Sequence, residues 1–220
     1  MAFRNYEFQY ERMIAWRTSL GLAYRSMPSG PILFKDMILN SMDDTGNPGD
    51  VDARQEVESI RMKNYAITPE IRFYAGKKGY GHGFYLSLFF RHASYTINNI
   101  SIDYTDNAGA SQTVSLTGML TSNTGGLMIG SQWMIARRVA FDWWILGPHV
   151  GTAKGTLAGR STQAMNTNDQ NSLRSELTEA LSGLPFFVNN TIHVSSNSAS
   201  ISLRGPWAGL RAGFSLGFRL

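Results

Sequence analysis

Apolar and polar residues alternate at the end of the chain. Leu210, Ala212, Phe214, Leu216, Phe218 and Leu220 are separated by Arg211, Gly213, Ser215, Gly217 and Arg219. A strand with lipid on one side and a small polar interior on the other needs this period of two. The same alternation recurs upstream. Residues 3–12 set Tyr6, Phe8 and Tyr10 against Glu7, Gln9 and Glu11, with a turn at 13–16. Residues 18–25 set Leu20, Leu22 and Tyr24 against Ser19, Gly21, Ala23 and Arg25. Residues 64–75 put Tyr65, Ile67, Ile71 and Phe73 outward and Asn64, Ala66, Thr68, Glu70, Arg72 and Tyr74 inward. Phe84, Leu86, Leu88 and Phe90 oppose Tyr85, Ser87, Phe89, Arg91 and Tyr95. Leu127, Ile129, Trp133 and Ile135 oppose Gly126, Met128, Gly130 and Gln132. Phe141, Trp143 and Ile145 oppose Asp142, Trp144 and Leu146.

Short and long connections alternate between these runs, with long segments at about 27–62, 97–122 and 152–204. Transmembrane barrels place short turns on the periplasmic side and long loops outside. The pattern predicts an all-β, eight-stranded antiparallel transmembrane β-barrel forming a single domain over residues 1–220. Seven spanning strands are visible. Even strand counts suggest an ascending strand upstream of Met1, or else one drawn from 185–204. No export leader is visible, so an exported chain would have lost one or been trimmed. Within the loops, 100–104 and 113–116 are short β-like runs that would extend a hairpin above the membrane. Residues 192–194 and 199–203 would form another. Leu173, Leu177, Ala180, Leu181 and Leu184 recur at helical spacing, and Gly183 and Pro185 end that helix. The helix is expected on the barrel rim or, less favoured, flat in the membrane interface.

Composition agrees. Charged residues make up 16% of the 220 residues and there are 22 glycines, against a usual charged share of about 25%. Mean hydropathy is −0.18, and no stretch approaches the roughly 18 apolar residues of a membrane helix. Cysteine is absent, which excludes disulfides and thiolate metal sites. The net charge of +4 is scattered, with no basic patch for nucleic acid.

An eight-stranded barrel is just wide enough for its own side chains to fill it. Its inward register collects Glu7, Glu11, Glu70 and Asp142 with Arg25, Arg72, Arg91, Arg211 and Arg219. Opposite charges in a narrow, dry interior should pair, so a plug of ion pairs filled out by Tyr74, Tyr85, Tyr95 and Trp144 is expected. Leu210, Phe214, Leu216 and Phe218 are expected to face lipid.

The segments NYEFQYERMIAWRTSLGLAYR, ITPEIRFYAGKKGYGHGFYLSLFFRHASY, GGLMIGSQWMIARRVAFDWWILGPHVG and GPWAGLRAGFSLGFRL resemble the small outer-membrane β-barrels of Bacteroidota. The resemblance covers each proposed strand but little of the loops. It implies an integral barrel in the outer membrane and says almost nothing about chemistry. A further strand commonly precedes the Tyr-Glu-Arg strand in such proteins. The chain departs from many barrels in ending on Leu220 rather than an aromatic residue.

Candidate chemistry is sparse. His92 and Ser94 fall on the outer face two residues apart, as in a lipid A deacylase-like esterase where serine attacks and histidine is the base. No acid lies near in sequence. Asp43, Asp44, Asp50 and Asp52 offer oxygen ligands but match no Ca²⁺-loop spacing. His82, His149 and His193 form no metal spacing, and Lys77, Lys78, Arg137 and Arg138 sit in turns. No cofactor is implied. The expected function is a structural or interaction role, as a closed barrel and accessory subunit of a larger envelope complex. The expected partners are outer-membrane lipid and other outer-membrane proteins. A small-solute channel is the alternative, and the esterase comes third.

Overall fold

The computed structural model describes residues 5–31, 58–76, 81–161, 163–182 and 189–219. They form one antiparallel sheet of eight strands and one helix. The strands are β1 (Tyr6–Ala15), β2 (Thr18–Pro31), β3 (Arg61–Tyr74), β4 (Gly83–Thr105), β5 (Ser111–Met134), β6 (Val139–Arg160), β7 (Asn189–Val194) and β8 (Ser198–Phe218). The helix α1 (Thr167–Ser182) lies between β6 and β7. Neighbours follow chain order except at the end, where β8 pairs with β6 and β7 takes the outer edge of β8.

The alternation predicted for β1, β2, β3 and β8 is the alternation observed. Glu7, Gln9 and Glu11 are half-buried between exposed Tyr6, Phe8 and Tyr10, and all six inward residues from Asn64 to Tyr74 are buried. The sheet rolls so that inward side chains of distant strands meet, as when Arg72 of β3 reaches Asp142 of β6.

Several strand boundaries differ from expectation. The 97–122 loop is strand almost throughout: β4 and β5 run on as one tall hairpin, joined at 106–110. Likewise β1 continues to Ala15, leaving Trp16 and Arg17 as the turn, and β2 continues to Pro31 past a bulge after Met27. The 152–204 excursion shrinks because β6 runs to Arg160 and β8 begins at Ser198. Its upper half is the predicted hairpin, β7 with β8. Polar Thr, Ser and Asn disguise these extensions because their outward face meets water.

A bulge makes the tall hairpin useful. Between Ile97 and Ile100 the β4–β5 register shifts by one residue, with Asn99 in a left-handed conformation at φ 61°. Asn tolerates that backbone better than most side chains. The shift turns Tyr104 inward, where odd-numbered residues faced inward below. Tyr104, Val114, Leu116, Ala199, Ile201 and Leu203 then form an apolar wall that buries Leu173, Leu177 and Leu181 of α1. The helix therefore packs against the rim. Leu184 lies outside the described residues.

Polar contacts lock α1 in place at its start. Asn166 Oδ1 accepts the Asn168 and Asp169 amides at 2.8 and 3.0 Å, and Asp169 Oδ2 accepts the Asn166 amide at 3.1 Å. This is a reciprocal cap. Asp169 Oδ1 also accepts the Asn107 amide at 2.7 Å, tying the helix to the tip of the β4–β5 hairpin. The Asp106 carboxylate holds that tip together. The Ala110 amide, then the Gln112 side chain, keep it below the usual carboxylate range. Asp169→Ala should cost about 1–2 kcal/mol, read as faster amide exchange across 167–182 with the sheet unchanged. Unaltered exchange would show the cap to be dispensable.

Candidate functional site: the filled interior

The interior is built by matching large side chains to glycines. Inward Glu70 lies opposite Gly21, Tyr85 opposite Gly130, Phe89 opposite Gly126, and Trp144 opposite Gly213. Arg211 lies opposite Gly147, and His149 opposite Gly209. A Cβ at Gly21 would stand 2.8 Å from Glu70 Cγ, and one at Gly130 would stand 2.3 Å from the Tyr85 ring. Large side chains lie flat over neighbouring strands only where no Cβ stands, which gives many of the glycines a packing role.

At the end near the short turns, Arg72 organises a dry polar cluster. Its side chain is 0% exposed. Nε donates to Glu70 Oε1 at 2.7 Å and Nη1 to Asp142 Oδ2 at 2.7 Å, with Glu11 Oε2 3.2 Å away. Nη2 lies 2.6 Å from Glu70 Oε1, close enough for an ion pair but out of line for a hydrogen bond. The guanidinium also stacks 4.5 Å above the Tyr85 ring. The carboxylates have further donors. Asp142 accepts from Tyr85 Oη at 2.8 Å and Trp144 Nε1 at 2.9 Å. Glu11 accepts from Tyr74 Oη at 2.6 Å and from Ser19 Oγ. Glu70 accepts from Gln9 Nε2 at 2.7 Å. A buried ion cluster is tolerable when its lone pairs are used in this way.

The next level is richer in cations. Arg211 pairs with Glu7 at 3.1 Å, stands 3.6 Å from Glu70 Oε2, and lies 5.0 Å from the Phe89 centroid and 5.1 Å from that of Trp144. Arg91 and Arg25 lie in the same electrostatic neighbourhood, with Glu7 as the carboxylate there. Arg91 is buried, and Nη1 donates only a long bond, 3.3 Å, to Thr68 Oγ1. Above this level Tyr95 and Trp207 meet across the interior with centroids 5.6 Å apart. Arg91→Met should leave stability unchanged or raise it, because a poorly paired buried charge among like charges contributes little. A fall of several degrees in the unfolding midpoint would contradict this.

Of the residues predicted to pair, Glu7, Glu11, Glu70, Arg72, Asp142 and Arg211 form one connected ion-pair chain. Arg25 and Arg91 face the same interior, with no carboxylate contact of that kind among the described residues. Arg219 is a correction: it lies beyond the end of β8, exposed, and its backbone amide donates to Arg138 O at 2.8 Å. Leu146 is another. A register shift around Ile145 inserts one residue into β6, so Leu146 turns outward and His149 inward. Strict alternation through the bulge assigned Leu146 to the wrong face and gave His149 none; the only sequence hint was the small Gly147 between them. Leu210, Phe214, Leu216 and Phe218 are all exposed on the outer face.

His92 and Ser94 do not assemble a catalytic group. His92 Nδ1 is 2.8 Å from Asn123 Oδ1, an amide where an orienting acid would stand, and Ser94 is 3% exposed with its hydroxyl unpartnered. Among the described residues no cluster of His, Asp and Glu has metal-binding geometry. His193 and Arg137 and Arg138 are exposed, and His82 is half-buried. Asp43, Asp44, Asp50, Asp52, Lys77 and Lys78 lie outside the described residues.

Residues 50–156 match a family model described as "Protein of unknown function (DUF3575)". The match takes in β3, β4, β5 and most of β6, and with them Glu70, Arg72, Arg91 and Asp142. No curated protein and no solved structure matches the chain.

Proposed function

We propose that this chain is an integral outer-membrane β-barrel of the kind found in small Bacteroidota barrels. In this reading its interior is plugged, its wall meets lipid, and its raised cap of α1 and the tall strands meets other envelope proteins. The observation that supports this best is the outer face of the sheet. Leu20, Ile71, Leu88 and Leu127 fall in one row across β2 to β5, within a belt of exposed large apolar residues on every wall strand. On β4 the belt from Phe84 to Phe90 rises ~20 Å at ~3.3 Å per residue, close to the ~25 Å apolar band of barrel proteins. Above it the outward residues become His92 and Thr96 on β4, and Thr152, Lys154 and Thr156 on β6. Trp133, Phe141, Trp143 and Phe214 cluster at the opposite margin, with ring centroids 5.9 to 6.4 Å apart, as an interfacial aromatic girdle.

The packed Arg72 cluster favours a plug over a channel. In planar bilayers the purified protein should give no discrete conductance steps, and Glu70→Gln should lower stability without opening one. Regular ion-selective steps from the unaltered protein would instead favour the small-solute channel. A mild-detergent pull-down tests the interaction role, and a monomer without companions counts against it.

A further inference from the structure

Charge in the interior is segregated rather than matched. Glu11, Glu70 and Asp142 gather round Arg72 at one level. At the next, Arg25, Arg91 and Arg211 share Glu7. Every pair among these three arginines lies within mutual electrostatic range. Glu7 is the one carboxylate of the described residues that bears on Arg25 and Arg91, and Arg211 already engages it at 3.1 Å. Arg91 and Arg211 are 4% and 5% exposed. Like charges held out of water repel strongly unless something negative stands among them.

Hydrogen-bond donors are left over at the same level. Arg25 Nε is buried with no hydrogen-bond partner among the described residues. Arg211 Nη1 stands 3.6 Å from Glu70 Oε2 but likewise makes no hydrogen bond. Arg91 Nη1 has its 3.3 Å bond to Thr68 Oγ1. His149, buried in the field of all three arginines, leaves Nδ1 unpartnered. Buried polar groups are seldom left without a partner, and here several of them converge.

The wall around them is built of small residues. In register with Arg25, the inward positions on the following strands are Ala66, Ala93, Ser122, Ala153 and Gly205. Thr68 and Thr124 flank Arg91. The level below is different, with Tyr85, Phe89, Met128 and Trp144 packed together. Long arginines therefore reach into a level whose wall side chains are short, bounded on its other side by Tyr95 and Trp207. Arg25 is only half-buried, so this level keeps a path to solvent. We infer that Arg25, Arg91 and Arg211 form the binding site of one small oxyanion, of the phosphate or carboxylate class. A guanidinium fork matches two oxygens of such an anion, and His149 Nδ1 offers another N–H in the tautomer protonated there. The bound charge would sit where the arginines lack a counter-ion. The site needs the rolled sheet but not the membrane, and it gives the poorly paired level of the plug a ligand.

Inorganic phosphate is the probe. The purified full chain is dialysed against radiolabelled phosphate, with ionic strength held constant by chloride. A single phosphate should bind per chain. Arg91→Met should weaken binding roughly tenfold to a hundredfold, the usual worth of a charge-assisted hydrogen bond, and Arg91→Lys should restore part of it. Arg137→Met, in an exposed turn, should bind as the unaltered protein does. Phosphate should also raise the unfolding midpoint of the unaltered protein but not of Arg91→Met, as for a ligand that binds only the folded state. Arg25→Met repeats the test at a half-buried position should Arg91→Met fail to fold. Absence of bound phosphate would overturn the site. So would equal binding and an equal midpoint rise in Arg91→Met and Arg25→Met, which would mark a surface or general salt effect. Resistance to carbonate extraction tests the membrane reading separately, and its failure would leave the phosphate result interpretable.

Discussion

Arg72→Met is expected to destabilise the protein by about 3–5 kcal/mol, because it leaves Glu70, Glu11 and Asp142 facing one another without their shared cation. Each carboxylate retains neutral donors, such as Tyr85 and Trp144 on Asp142, but among the described residues none has another close cation apart from Arg211, 3.6 Å from Glu70. The measurement is urea unfolding in lipid vesicles followed by tryptophan fluorescence, with Trp144 inside the affected cluster. Arg72→Lys should rescue only part of the loss, since an ammonium lacks the fork that reaches Glu70 and Asp142 together. Combining Arg72→Met with Asp142→Leu should cost clearly less than the two single changes added, because the second removes a charge the first stranded. An unchanged midpoint in Arg72→Met would mean the interior is wet enough to solvate those carboxylates, and the plug would then be discarded.

Leu177→Asp should have the second largest effect, confined to the cap. Leu177 is buried among Tyr104, Leu116, Ile201 and their apolar neighbours. Burying an unpaired carboxylate there is far costlier than a cavity, for which Leu→Ala typically costs about 2–5 kcal/mol. The helix should detach, with amide protection lost over 167–182 and reduced along β7. Residues of the Arg72 cluster should keep their protection, because cap and plug have separate cores. Global unfolding would show instead that cap and wall form one cooperative unit.

Much of the interior was legible because a strand's period of two assigns each residue a face from local sequence alone. Inward Glu70 and Arg72 and outward Leu86 and Leu88 could be placed without knowing any neighbour. That rule fails where a strand gains a residue. At Ile145 and at Asn99 the face switches, which misplaced Leu146, hid His149, and concealed that Ile100 to Tyr104 faces a helix. A bulge is settled by the ladder on the next strand, and the small Gly147 is the one local hint of it. Arg219 failed for another reason: the strand ends before it, so its face has no consequence.

Alternation, glycine content and the alternating connection lengths were enough to establish an antiparallel all-β wall with one charged and one apolar face, and a helix with an apolar stripe. These are properties of single strands and of one helix, set by backbone geometry. Which charges meet was decided only when the sheet rolled. Arg72 and Asp142 are 70 residues apart, and their pairing depends on curvature, on glycines that let large side chains lie flat, and on burial that makes an unpaired charge expensive.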